Sequence, residues 1–192
     1  TGLSCAQYLL DKGHKIAIAD SRNNPPNLSV FKKNNPQVPC FLGPFDTKQF
    51  MQTKALVVSP GIAISTPAIQ HCYDHGVAIL GDIELFAREI SAPIVAITGT
   101  NGKSTVTQLV GEMAAHAGIH VQVGGNIGTP ALDLLKQPRA DLYVLELSSF
   151  QLETTYSLQT KVSAILNLSR DHLDRYANYQ AYIDAKHRIF QH

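Results

Sequence analysis

VAITGTNGKST, residues 95–105, is the stretch whose reading decides the fold. It approaches the phosphate-loop pattern G-x-x-x-x-G-K-[ST] but departs from its spacing, because Ile97 stands where the first glycine would fall. A phosphate cradle does not depend on a fixed loop length. It needs backbone N–H groups turned inward, a helix N-terminus with its partial positive charge, and a lysine that reaches the terminal phosphates. The flanks supply that context. PIVAITG (93–99) reads as a buried strand. From Ser104 to His116, the residues Val106, Leu109, Val110, Met113 and Ala114 form one helical stripe, and Gly118 closes the helix. Gly99 and Gly102 permit close backbone approach, with Thr100 and Asn101 between them. Lys103 brings charge, and Ser104 or Thr105 offers a hydroxyl to Mg²⁺. The competing reading is a helix cap with a solvated lysine, and a strand and a helix on the correct sides weigh against it.

Outward from the loop, strands and helices alternate. LSCAQYLLDKG (3–13) is a helix with Leu3, Ala6, Leu9 and Leu10 on one face. HKIAIAD (14–20) is a strand, and the Asn- and Pro-rich segment 21–39 reads mainly as loop. KALVVSPG (54–61) runs from strand into turn, TPAIQHCYDHG (66–76) is helical, VAILGD (77–82) is a strand and DIELFAREI (82–90) a short helix. Ser91-Ala92-Pro93 is the expected linker, giving units 1–91 and 92–192. Beyond the loop helix come strands at 119–125, 141–147 and 161–168, and helices at 129–136 and 178–190. This predicts an α/β fold: a Rossmann-like parallel-sheet domain, then a P-loop-type ATP-binding α/β domain. The chain opens on Thr1 without a signal-peptide pattern, and both units read as incomplete.

Bulk composition narrows the function. Apolar residues make up 44% of the 192 and charged residues only 16%, which favours a packed core over disorder. A net charge of +1 with no basic block argues against a nucleic-acid surface. No apolar run approaches the roughly 18 residues of a membrane span. Cys5, Cys40 and Cys72 are odd in number and lack a C-x-x-C, so a reducing, cytoplasmic setting is expected rather than a disulfide framework. His71 and His75 in HCYDH lack both the glutamate of a zinc motif and a third ligand, so a solvated helix face is preferred.

Chemistry-bearing residues lie behind the loop. Glu146 ends the apolar strand 141–147, where a carboxylate beside a phosphate loop commonly holds Mg²⁺. Asp171-His172-Leu173-Asp174 follows strand 161–168 and should lie on the same sheet edge. Asp20, at the end of strand 14–20, sits where an acidic residue often meets a ribose. By pattern alone it could equally cap a turn.

T-G-T-N-G-K-S-T resembles the shortened ATP loop of the Mur ligases, amide-forming enzymes of peptidoglycan precursor synthesis. SPGI (59–62), GDIELF (81–86), GGNIG (124–128), LELSSFQLE (145–153), DHLDRY (171–176) and AYIDAK (181–186) extend the likeness over nearly the whole chain. GDIELF and LELSSFQLE are most similar to the D-glutamate-adding branch. The resemblance implies that ATP, D-glutamate and UDP-N-acetylmuramoyl-L-alanine are the substrates, with a carboxylate activated as an acyl phosphate. It implies catalytic roles for Lys103, Glu146, His172 and Lys186, with two Mg²⁺ held by Ser104, Glu146, His172 and a Lys186 carbamylated by CO₂. It also implies that Thr1, Asp20, Ser21 and Arg22 line a uridine and phosphate pocket, with Ser59 and Gly61 near it. Asn126, Ser148 and Gln151 would contact the sugar or diphosphate. In the family a third domain recognises the incoming amino acid, so this stretch alone is not expected to complete ligation. A monomer is favoured. Rival readings are a sibling ligase adding another amino acid or acting on folates, a nucleotide-binding module without chemistry, and a nicotinamide-dependent enzyme. The last leaves residues 95–105 unexplained.

Overall fold

Phe31 anchors a helix where the Asn- and Pro-rich composition of 21–39 predicts loop. The computed structural model describes residues 1–191. Its first elements are α1 (Gly2–Asp11), β1 (Ile18–Asp20), α2 (Leu28–Asn34) and β2 (Cys40–Leu42). Asn27 takes the left-handed conformation at φ 61° and starts α2. Phe31 then packs with Ala6 and Val38, against Leu10, Ile16, Ile18 and Cys40. Burying one aromatic ring on α1 outweighs the poor local propensity of its neighbours. β1 and β2 pair in parallel, with Ala19 opposite Phe41. There follow α3 (Thr47–Phe50), capped by the Asp46 carboxylate accepting from the Lys48 N–H, then β3 (Ala55–Val57), α4 (Pro67–Asp74) and β4 (Ala78–Leu80). β3 and β4 pair in a second two-stranded sheet. On α4 the His71 and His75 rings stack with centroids 4.0 Å apart.

The chain divides into two compact units, one of residues 1–58 and 64–79, the other of residues 59–63 and 80 onward. The second unit therefore includes α5 (Asp82–Ala87) and begins before the Ser91-Ala92-Pro93 segment. Its remaining elements are β5 (Ile94–Thr98), α6 (Lys103–His116), β6 (Val121–Gly125), α7 (Ala131–Leu134), β7 (Leu142–Glu146), α8 (Ser149–Glu153), β8 (Val162–Ile165) and α9 (Tyr179–His187), with a 3₁₀ turn at Arg188–Phe190. β5 to β8 form a parallel sheet in the order β6-β7-β5-β8. Ile97 stands opposite Glu146, Thr98 opposite Ile165 and Gly125 opposite Glu146. Those registers bring the loops after all four strands to one edge, where α/β sheets bind ligands.

Ala96, Val144, Leu145 and Leu147 are fully buried, and Phe86 of α5 meets Tyr143 edge-on at 5.3 Å between centroids. α6 covers the sheet through a face that shares Ala114 with its apolar stripe but is turned away from Leu109 and Met113. Thr107, Gly111 and Ala114 are its buried residues, while Leu109 and Met113 are 53% and 62% exposed. A Cβ on Gly111 would strike a Val123 methyl, so small residues set the close approach of helix to sheet.

GDIELF fastens α5 to the segment after β7. A Cβ on Gly81 would run into the Thr154 hydroxyl. Asp82, 2% exposed, accepts from the Gln151 side-chain amide at 3.0 Å. Glu84 accepts from Tyr156 N, Ser157 N, Ser157 Oγ and Arg88 Nε at 2.7–3.0 Å. Burial works to raise the Glu84 pKa, but the Tyr156 amide, Arg88 and Ser157 outweigh it and hold it below the ordinary value. Its stabilisation is thus present at neutral pH and lost as pH falls through that lowered pKa. Glu84→Ala removes the buried acceptor shared by the Tyr156 and Ser157 N–H groups and Arg88 and is expected to cost about 2 kcal/mol. A urea midpoint unchanged at pH 7 would contradict this.

Candidate nucleotide and metal site

The loop between β5 and α6 is shaped by two glycines for different reasons. Gly99 has φ 149°, and a Cβ there would press within 3.2–3.4 Å of Leu166 and the Asn167 amide. Gly102 caps α6 at φ 78° with open space around it, so its requirement is conformational. The loop is tied to the chain after β8. Thr100 N donates to Asn167 O at 3.0 Å, Asn101 N to Asn167 Oδ1 at 2.9 Å, and Asn167 Nδ2 to Asn101 O at 2.9 Å. Asn167 thus does with one side chain what a longer loop would do for itself.

At the start of α6, Lys103 Nζ donates to Thr100 O at 2.9 Å, and Thr105 is exposed. Ser104 Oγ donates to Glu146 Oε2 at 2.7 Å, and Asn126 Nδ2 donates to Glu146 Oε1 at 2.7 Å. A Cβ on Gly125 would collide with the Glu146 carbonyl, which explains the glycine pair of GGNIG. Glu146 is 2% exposed, and both its oxygens are held by neutral donors. A hydroxyl and a carboxylate at hydrogen-bond distance beside a phosphate loop form a hard-oxygen pair, the donor set that suits Mg²⁺.

Lys186, from α9, is the sharpest feature. It is 2% exposed, and Nζ donates to Thr98 Oγ1 at 3.2 Å. No ion pair involving it lies within 4.0 Å among the described residues; the Tyr182 ring is 4.9 Å away. Burial, then repulsion from Lys103, pushes its pKa down to about 8, against the pull of Asp171 and Glu146. Tyr182, one turn earlier, bonds through its hydroxyl to Thr100 Oγ1 at 2.9 Å, linking α9 to the loop.

His172 lies among aromatic rings, at 4.8 Å from Phe150 and 6.2 Å from Tyr182 between centroids. It is one of two described non-glycine residues with positive φ, at 52°, and its N–H donates to Asp171 Oδ1 at 2.9 Å. No hydrogen bond joins it to Glu146 or Lys186 among the described residues. Ser148 and Gln151 close a capping box at the start of α8. Gln151 is 2% exposed, with Oε1 accepting from Ser148 and Nε2 donating to Asp82. Its amide is committed to internal bonds, whereas Asn126 is exposed.

In the first unit, Arg22 binds Asp20 through Nε at 2.8 Å and Nη2 at 2.7 Å, and its N–H also donates to Asp20 Oδ1. The Arg22 side-chain bonds hold the Asp20 carboxyl below its usual range, against mild burial. Ser21 is exposed next to this pair, and Thr1 caps α1. Ser59 and Gly61 lie in a turn closed by Ile62 N to Ser59 O at 2.9 Å, within the second compact unit. Asn167, Tyr182 and Asp82 join the site through partners distant in sequence. Only Tyr182 carried a readable signal, its i,i+4 spacing from Lys186.

Family comparison agrees with this arrangement. Residues 1–81 match the "Mur ligase MurD-like, N-terminal domain" model, and residues 97–192 the "Mur ligase middle domain" model. The chain is 59% identical over 191 residues to the UDP-N-acetylmuramoylalanine–D-glutamate ligase of Marinobacter nauticus and 52% identical to that of Nitrosococcus oceani. Each match covers 100% of this chain but 43% and 42% of those relatives, so the chain spans about two-fifths of their length. Among solved structures, the UDP-N-acetylmuramate:L-alanyl-gamma-D-glutamyl-meso-diaminopimelate ligase of Neisseria meningitides covers 99% of the chain, and the chain covers 63% of it. Its TM-score is 0.56 at 16% identity, a likeness of fold. Two matching domain models in sequence order, on an α/β fold with a shortened phosphate loop, show that the chain belongs to the Mur ligase family.

Proposed function

We propose that this chain supplies the nucleotide- and sugar-binding parts of an ATP-dependent ligase that adds D-glutamate to UDP-N-acetylmuramoyl-L-alanine. The observation that carries the reading is the gathering of Lys103, Ser104, Glu146 and Lys186 at one edge of a parallel sheet. The high identity to D-glutamate ligases along the whole chain favours this member over its siblings.

Carboxylate oxygen is a poor leaving group, so amide formation needs activation. The alanyl carboxylate takes the terminal phosphoryl of ATP, the amine of D-glutamate attacks the acyl carbon, and phosphate departs. Positioning and charge neutralisation supply most of such catalysis. Lys103 would swing from Thr100 O to the phosphoryl oxygens, while the N–H groups of residues 102–105 at the start of α6 receive the phosphates, those of Thr100 and Asn101 being taken by Asn167. Ser104 and Glu146 would hold one Mg²⁺, and His172 with a carbamylated Lys186 a second; when bound, these ions supply charge neutralisation. Asp20, Ser21, Arg22 and Thr1 would receive the uridine and phosphate end, with Ser59 and Gly61 near that pocket, and Asn126 would contact the sugar or diphosphate. Ser148 and Gln151 fit better as the support of that surface, since the Gln151 amide is already used. The full-length protein is expected to act in the cytoplasm. No helix among the described residues is long and apolar enough to cross a membrane.

The deciding experiment measures ADP release by the full-length protein with UDP-N-acetylmuramoyl-L-alanine and a panel of amino acids. D-glutamate alone should drive turnover. Turnover with a different amino acid would transfer the assignment to a sibling ligase, and ATP binding without any release would favour a non-catalytic module.

A further inference from the structure

The geometry points to Arg175 as a positioning residue that clasps the Ser59–Ala63 turn to the segment carrying His172. This rests on the proposed UDP-sugar ligase reading for its functional consequence, though not for its structural one. Arg175 Nη1 donates to Pro60 O at 2.8 Å, and Nη2 donates to Ile62 O at 3.1 Å. Both acceptors are backbone carbonyls on either side of Gly61, so the grip does not depend on the turn's side chains. Nη2 also meets Glu153 Oε2 at 3.3 Å, and the guanidinium lies 4.1 Å from the Phe150 ring centroid.

That same Phe150 ring packs 4.8 Å from the His172 imidazole. The Arg175 N–H closes a turn on His172 O at 3.0 Å, the turn in which His172 takes its positive φ. One side chain, only 12% exposed, therefore fixes three things relative to one another: the turn, the ring beneath His172 and the end of α8. The outer side of the turn is left open, since a Cβ on Gly61 would meet nothing within 4 Å. Only arginine fits this post. Its planar fork bonds two carbonyls and stacks on an aromatic face at once, whereas a lysine presents its donors from a single nitrogen.

With Ser59 and Gly61 bordering the UDP-sugar pocket and His172 at the reacting end, as the proposed function has them, Arg175 sets the spacing between the two. The test uses the full-length protein with Arg175→Met, Arg175→Lys and, for comparison, Glu153→Gln, which leaves both carbonyl bonds in place. Arg175→Met is expected to raise KM for UDP-N-acetylmuramoyl-L-alanine about 10-fold, leave KM for ATP within about two-fold, and speed hydrogen exchange of the Ile62 amide about 10-fold. Arg175→Lys should recover part of both effects, and Glu153→Gln should show neither. Unchanged exchange at Ile62 in Arg175→Met would overturn the clasp, and so would an equal rise in both KM values. Exchange is read without substrate, so a protein that fails to turn over the UDP-sugar would discard the functional reading while still deciding the clasp.

Discussion

Lys103→Ala in the full-length protein is expected to lower ADP release by about 10³-fold, the scale seen when a preorganised charge facing a transferring phosphoryl group is removed. Loop geometry supports a loss in the chemical step rather than in folding. Lys103 is partly exposed, and its one side-chain hydrogen bond among the described residues reaches a carbonyl of its own loop, Thr100 O at 2.9 Å. Shape is carried instead by Gly99 against Leu166 and by Asn167 against Thr100 and Asn101. The substitution should therefore leave the thermal midpoint within about 2 °C, since surface changes away from structural features are usually small. Lys103→Arg should rescue poorly, because a bulkier fork must replace a point charge in a short loop. A Lys103→Ala protein that keeps more than a tenth of wild-type turnover would remove this lysine from the mechanism.

The phosphate loop was legible in the sequence because its requirements are local: two glycines, a lysine and a hydroxyl between a strand and a helix. Glu146 was legible for a related reason, since an apolar strand ending in one carboxylate has few other uses beside such a loop. Other features depend on partners far along the chain. The helix at Leu28–Asn34 exists because Phe31 finds Ala6 and Val38, which no local pattern in an Asn- and Pro-rich stretch announces. The buried face of α6 is set by close packing of Gly111 on Val123, which turns Leu109 and Met113 of the apolar stripe outward. The bond from Gln151 to Asp82, 69 residues away in sequence, likewise has no local signal. Lys186 is the extreme case. Nothing in its helical spacing marks it, and its burial beside Thr98 depends on a strand 88 residues earlier in the chain.

Lys186 carries the second large prediction, in which stability and function move in opposite directions. Its folded-state pKa of about 8 lies below the ordinary 10.5, so the unfolded chain binds the proton more tightly. Between about pH 8 and 10.5 the unfolded state holds more protons on this group, and stability rises with pH across that window. Below about pH 8 the buried ammonium is a net cost, on the order of 3 kcal/mol from a shift of this size. Lys186→Met removes the charge and keeps much of the volume. It should raise the thermal midpoint at pH 7 by several degrees in CO₂-free buffer, with the gain shrinking toward pH 10.5. The same variant should lose ligation by about 10³-fold, because the lowered pKa leaves a neutral amine available to CO₂ under mildly alkaline conditions. In that reaction the amine nitrogen would add to the carbon of CO₂ and give up a proton to solvent, placing an anion beside Lys103. Carbon-13 NMR of the full-length protein in labelled bicarbonate should show a carbamate signal near pH 8.5 that Lys186→Met lacks. A signal of equal size in both proteins would assign the carbamate elsewhere. A Lys186→Met protein no more stable than wild type at pH 7 would mean that the buried ammonium is already compensated in solution.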